Sequence, residues 1–298
     1  MENENLKKGI LFLVFSAFSF ALMGMFVRLA GDIPFMQKAF FRNLVSFAIA
    51  FFSLAKEEKT ARLQNSKSVF KISGKEFLFL LLRASCGSIG IFGNFYALDH
   101  LNIADAAMLN KMSPFFTLLF CFFLLGEKVE LIPLLAVSTA FAGSLLIIKP
   151  SFNLTHFIPS LAGFFSGMGA GFAYACVRKL HSYNTSPSLI ITFFSLFSCL
   201  ISVPFILINP VPMTLKQFLI LLGAGLAAAG GQFGITFAYY NAPASKISIF
   251  DYSQIIFSAI LGFIAFHQIP DIFSFLGYVI IISMAAVVFF YNKRNSRT

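Results

Sequence analysis

Ten apolar blocks, near 9–30, 35–55, 76–98, 104–125, 131–149, 158–178, 188–208, 217–240, 243–266 and 271–291, take up nearly the whole chain. Each runs about 20 residues or more, enough to cross a hydrocarbon core of ~30 Å at 1.5 Å per residue. The longest polar segment, 56–75, is too short for a soluble domain. Only 11% of residues are charged, whereas soluble domains carry roughly 25%. The fold class predicted is an all-α integral membrane protein.

The first block follows Lys7 and Lys8, as a secretory leader would. Its apolar run is too long for a typical leader and lacks a small-residue cleavage site, so it reads as an uncleaved helix. Cys86, Cys121, Cys176 and Cys199 all fall inside blocks, without CxxC spacing. They read as small packing residues.

The net charge of +10 reflects topology rather than affinity for nucleic acid. With the N-terminus inside, fifteen Lys and Arg lie on inside segments, Arg178, Lys246 and Arg297 among them. Four lie outside, namely Arg28, Lys38, Lys149 and Lys216. This bias puts both termini in the cytoplasm of a cell (inner or plasma) membrane.

The halves repeat. Phe15-Ser16 precedes Val27-Arg28 by the same gap that separates Phe165-Ser166 from Val177-Arg178. A second register, shifted by 141 residues, matches Gly90 with Gly231, Gly93 with Gly234, Ala97 with Ala238 and Glu127 with Gln268. Two units follow, 8–149 and 158–291, of five spans each. An odd span count forces the second unit to insert upside down, the plan of many secondary transporters. Glycines at helical spacing on spans three, six and eight (Gly87, Gly90 and Gly93; Gly163, Gly167 and Gly171; Gly230, Gly231 and Gly234) mark these as closely packed central helices.

Tyr96-Ala97-Leu98, Ala104 to Ala107, Ser113-Pro114-Phe115-Phe116 and Gly126-Glu127 resemble the signature of the drug/metabolite transporter superfamily, in its EamA-type group. Phe40-Phe41-Arg42 fits as well, and so does the second-half set Ala238, Pro243-Ala244, Tyr252, Gln254-Ile255-Ile256 and Gln268-Ile269-Pro270. The second half departs from the pattern at Ile255 and Gln268, which stand opposite Pro114 and Glu127. The resemblance covers essentially the whole chain. It implies ten helices, a central cavity lined by the first four helices of each half, and peripheral fifth and tenth helices. It also implies relatives that export amino acids or drugs, and others that take up nucleotide-like metabolites such as S-adenosylmethionine.

Ionisable groups at membrane depth cost at least ~2.5–3.5 kcal/mol on insertion scales and are functional hypotheses by default. Lys111, Asp251, Arg42 and Arg83 qualify. In the 141-residue register Asn110 matches Asp251 and Lys111 matches Tyr252, so both charges are expected at the cavity. Lys111 suits a substrate carboxylate or phosphate, and Asp251 an amine or a proton. A register-setting ion pair between them is the structural alternative. Asn94, Asn110, Gln232, Tyr252 and Gln254 offer uncharged hydrogen-bond partners. Arg28 and Arg178 read as anchors at span ends, and Glu127 as a structural residue. A few of the 42 phenylalanines, on spans one, three and six, are expected on the cavity wall, but periodicity does not choose them.

These features predict a secondary transporter working by alternating access on a small polar or amphipathic metabolite. An amino acid or derivative is expected, with export preferred, and with proton coupling through Asp251. Uptake of a nucleotide-like metabolite and a non-transporting scaffold are the alternatives. No GxxxxGK[ST] occurs, so ATP is not the direct drive. Enzyme chemistry is not expected: an aspartyl protease needs two deep acids, and His100, His156, His181 and His267 sit apart near span ends. No cofactor or nucleic acid is expected. The partners are a small-molecule substrate and the lipid bilayer, with a homodimer left open.

Overall fold

The structure, a computed structural model, describes all residues except 1, 65, 101–106, 108, 129, 149–156, 209–210, 268 and 296–298. Ala104 to Ala106, Lys149, His156, Gln268 and Arg297 therefore lie outside the described residues. The described helices are α1 (Glu2–Leu29), α2 (Phe35–Leu63), α3 (Gly74–His100), α4 (Ser113–Leu125), α5 (Leu131–Ile148), α6 (Phe157–His181), α7 (Pro187–Ile208), α8 (Leu215–Asn241), α9 (Ser253–Phe266) and α10 (Ile272–Asn295). With Ala244–Phe266 taken as one span, nine are long and apolar enough to cross a membrane, and Ser113–Leu125 is a shorter apolar helix. Helices suit this sequence because lipid offers no hydrogen-bond partner, so each span must satisfy its own backbone. Large apolar side chains such as Leu11, Phe52 and Leu207 stay exposed on the outer faces.

Helix pairing shows the internal symmetry. Helix α1 packs on α8 as α6 packs on α3; α2 packs on α7, and α5 on α10. Helix α4 meets α6 as α9 meets α1. Adding five to every helix number maps this set of pairs onto itself, as two related halves require.

Close backbone approach holds the paired helices. A Cβ on Gly93 would meet Ala162 O at 2.7 Å, and one on Gly234 would meet Phe12 O at 2.8 Å. Only glycine admits the neighbouring helix at these points. The Ser16 hydroxyl donates to Gly231 O at 2.7 Å, and the Ser166 hydroxyl donates to Gly90 O, also at 2.7 Å. Both repeat registers therefore meet in one pair of equivalent contacts.

Spans four and nine differ from the continuous helices expected over 104–125 and 243–266. Residues 111–112 form a turn before α4 begins at Ser113. The second-half counterpart is a single turn, Ala244–Ile247, then a 3-10 segment, Ser248–Tyr252, then α9. Pro114 occupies the first turn of α4, where its missing N–H costs nothing and its φ suits helix initiation. Both short helices end on a left-handed residue, Gly126 at φ 65° and His267 at φ 53°. These two positions are equivalent in the 141-residue register. Interrupted helices of this kind are tolerated at membrane depth where they line a cavity.

Candidate functional site

The two breaks face each other across the centre of the molecule. The Lys111 ammonium donates to Gln254 Oε1 at 2.7 Å, to Asp251 Oδ2 at 3.3 Å and to Asp251 O at 3.4 Å. The pair is an ion pair, with both side chains less than a tenth exposed. The short contact goes to Gln254, so the Asp251 carboxylate keeps acceptor capacity. Tyr252 is fully buried and donates its hydroxyl to Lys111 O at 3.1 Å. In the repeat register, Tyr252 is bonded to its own counterpart.

A cavity of about 130 Å³ opens beside this pair. Eight of the nine expected side chains line it: Lys111, Asp251, Asn110, Asn94, Gln232, Gln254, Arg42 and Arg83. Tyr252 is the exception and stands behind Lys111. Its match to Lys111 located it correctly in the symmetry, but the 3-10 turn points its ring into the packing. Asn110 donates to the Ser166 hydroxyl at 3.1 Å, which ties the first break to the α3–α6 contact. Gln232 donates to the Thr236 hydroxyl at 3.3 Å. None of the lining residues comes from α5 or α10, which pack on each other at the periphery.

The arginines are placed differently from the lysine. Arg83 is 2% exposed and stacks its guanidinium over the Phe194 ring, 3.9 Å from the centroid. Arg42 is 9% exposed and lies 5.7 Å from the centroid of Phe20. A ring face attracts a cation but offers no acceptor for the N–H groups on its edge. Among the described residues, Arg42 Nε and Nη1 and Arg83 Nε have no hydrogen-bond partner.

The aromatic wall consists of Phe20, Phe95, Phe194 and Tyr174. Spans one and three supply phenylalanines as expected, but span six supplies Tyr174 instead, and Phe194 comes from α7. In a chain so rich in phenylalanine, nothing in the spacing marks Phe194. Tyr174 carried a weak signal, as a polar aromatic on the glycine-rich sixth span.

Below the cavity, the Tyr174 ring stacks on Tyr239, with centroids 5.2 Å apart and planes at 14°. Next comes Arg178, whose Nε donates to Glu127 Oε1 at 2.7 Å while Nη1 donates to Tyr240 O at 3.3 Å. Glu127 Oε2 accepts from the Ala244 backbone N–H at 3.2 Å. Arg178 is therefore part of a half-buried tie between the repeats, with Glu127 just past the end of α4, rather than a span-end anchor. Arg28, the first-half equivalent of Arg178, stacks over Phe266, 4.5 Å from the ring centroid. On the same side, Thr185 donates to Glu76, and Ser188 donates to Glu57.

The chain matches the EamA-like transporter family twice, over residues 7–149 and 158–290. It belongs to that family. It is thus a multi-pass membrane transporter and not an enzyme, and the scaffold alternative falls with this membership. It is 28% identical over 283 residues to the pseudopaline exporter CntI of Pseudomonas aeruginosa, a match covering 93% of this chain and 94% of the exporter. It is also 28% identical over 298 residues to the riboflavin transporter of Vibrio cholerae, covering 97% of this chain and 95% of that one. A solved crystal structure superposes with a TM-score of 0.81 at 15% identity, over 97% of this chain and 98% of the other. That likeness concerns the fold alone.

Proposed function

We propose that this EamA-like transporter moves a small polar metabolite, an amino acid or a derivative of one, by alternating access, with export as its direction. One observation carries the reading: Lys111 and Asp251 stand at equivalent helix breaks and meet at one cavity between the repeats. Discontinuous helices at a repeat interface are where transporters of inverted design hold substrate and coupling ions. The ammonium offers a donor for a carboxylate, and Asp251 an acceptor for an amine. A zwitterion can therefore exchange the internal ion pair for two substrate contacts.

The side bearing the Tyr174–Tyr239 stack and the Arg178–Glu127 tie is read as the cytoplasmic one from the positive-inside charge bias, and these contacts as its closure. Breaking that tie is the motion that alternating access asks of the two halves on this side. Export draws support from the exporter among the similar proteins. The riboflavin transporter supports a second reading, a larger aromatic substrate, through the aromatic wall. The cavity weighs against it, because about 130 Å³ is well under the ~300–1,000 Å³ of drug-sized sites.

The test is counterflow of radiolabelled L-glutamate and L-alanine in proteoliposomes, with Lys111→Ala and Asp251→Ala alongside. Transport by the wild type and none by either variant is expected; unimpaired variants would remove the site assignment. Proton coupling through Asp251 is tested in the same vesicles. Flux insensitive to pH, and unchanged in Asp251→Asn, rules it out.

A further inference from the structure

Among the described residues, the cavity lining holds three cations, Arg42, Arg83 and Lys111, and a single carboxylate, Asp251. Lys111 is matched by Asp251 and Gln254. The two arginines are not matched: both are at least nine-tenths buried, and neither forms an ion pair among the described residues. Their aromatic neighbours cover the guanidinium faces and leave edge N–H groups without acceptors. Two uncompensated positive charges next to a low-dielectric interior are retained at a large desolvation penalty. A fold has no packing use for that penalty, since apolar side chains of similar size fill the same space at none.

We infer that the cavity takes a substrate with two acid groups and one amine, the acids held by Arg42 and Arg83 and the amine by Asp251. Guanidinium is the group suited to this task, because its fixed fork of donors matches a carboxylate at two points. The arginines come from different helices of the first repeat, α2 and α3, and Asp251 comes from the second. A ligand bound to all three bridges the halves, and its one net negative charge offsets half of the excess positive charge that Arg42, Arg83, Lys111 and Asp251 together leave. A neutral zwitterion held by Lys111 and Asp251 leaves both guanidiniums bare, and a cation adds to the repulsion. This inference rests on reading the cavity as the transport site.

The test is a thermal-shift titration of purified full-length protein with L-glutamate, succinate, L-alanine, L-lysine, and inorganic phosphate and sulfate. L-Glutamate is expected to bind at least tenfold tighter than L-alanine, which lacks the second acid, and than succinate, which lacks the amine. L-Lysine should give no shift. Equal response to L-lysine or L-alanine, or no response to any two-acid probe, overturns the inference. An equal response to phosphate or sulfate also overturns it, since it assigns the arginines to simple anions. Arg42→Gln and Arg83→Gln should melt no lower than wild type without ligand, because each removes an unpaired charge, and should lose at least tenfold in L-glutamate affinity. Arg42→Lys and Arg83→Lys should keep part of the preference for two acids. A fall in ligand-free melting with the glutamate-to-alanine ratio intact marks the arginines as structural and overturns the assignment. If the probes bind in this order but counterflow fails, the transport reading is lost while the ligand class stands. If counterflow favours a neutral substrate, the reverse holds.

Discussion

Ser16 and Ser166 make the same hydrogen bond in opposite halves, to Gly231 O and to Gly90 O, each at 2.7 Å. One bond joins α1 to α8 and the other joins α6 to α3. Next to each bond lies a glycine, Gly234 or Gly93, against which the partner backbone rests. The two halves are thus held by duplicated contacts, and each contact also pins a helix adjoining the cavity.

Equivalent substitutions at this contact should have equivalent effects. Ser16→Ala and Ser166→Ala should each lower stability by about 0.5–1.5 kcal/mol. Gly93→Ala and Gly234→Ala should cost more, about 1–3 kcal/mol, since the new methyl meets backbone oxygen rather than a yielding side chain. Melting temperatures of the four variants in detergent check both the ranking and the symmetry.

The Lys111–Asp251 pair separates stability from function. Lys111→Met leaves a buried carboxylate uncompensated and should destabilise by about 3–5 kcal/mol. Adding Asp251→Asn should restore most of that loss without restoring transport. Thermal melts and counterflow on the single and double variants decide it. Recovery of transport along with stability would show the pair to be a packing device.

The Arg178–Glu127 tie should govern access from the cytoplasm. Glu127→Gln removes the acceptor charge and weakens the hold on Arg178 and on the Ala244 backbone. Cys176, fully buried two residues before Arg178, reports the opening. In a variant with Cys176 as its sole cysteine, Glu127→Gln should raise maleimide labelling severalfold. An unchanged labelling rate would mean the tie does not limit opening.

His267 occupies a left-handed position that its equivalent fills with Gly126. A side chain in that conformation costs roughly 1–2 kcal/mol. His267→Gly should therefore raise the melting temperature, and Gly126→Ala should lower it. A drop for His267→Gly would mean that contacts of the imidazole outweigh the backbone strain.

Much of the site was legible because symmetry and membrane burial act on the chain directly. The registers identified Asn110-Lys111 and Asp251-Tyr252 as equivalent pairs, and the price of charge in lipid singled out Arg42 and Arg83. What periodicity could not reveal was the break in each short span. The polar residues at Asn110-Lys111 and at 248–252 are short interruptions within long apolar stretches, so a hydropathy reading runs across both. Pro114 marked the first break. The second has Ile255 at that position and carries only the polarity of 250–254.

The sequence by itself determined the membrane class, the ten apolar spans, the two related halves and the small set of deep charges. Each of these is local or periodic, and each answers to the transfer of side chains from water to lipid. Only the tertiary structure decided that Tyr252 packs behind Lys111, that Arg178 pairs with Glu127, and that Arg42 and Arg83 share one cavity with edge nitrogens unpartnered among the described residues. Those outcomes depend on which helix faces meet and how a broken helix turns. Rotation about a helix axis leaves composition and spacing unchanged while redirecting every side chain.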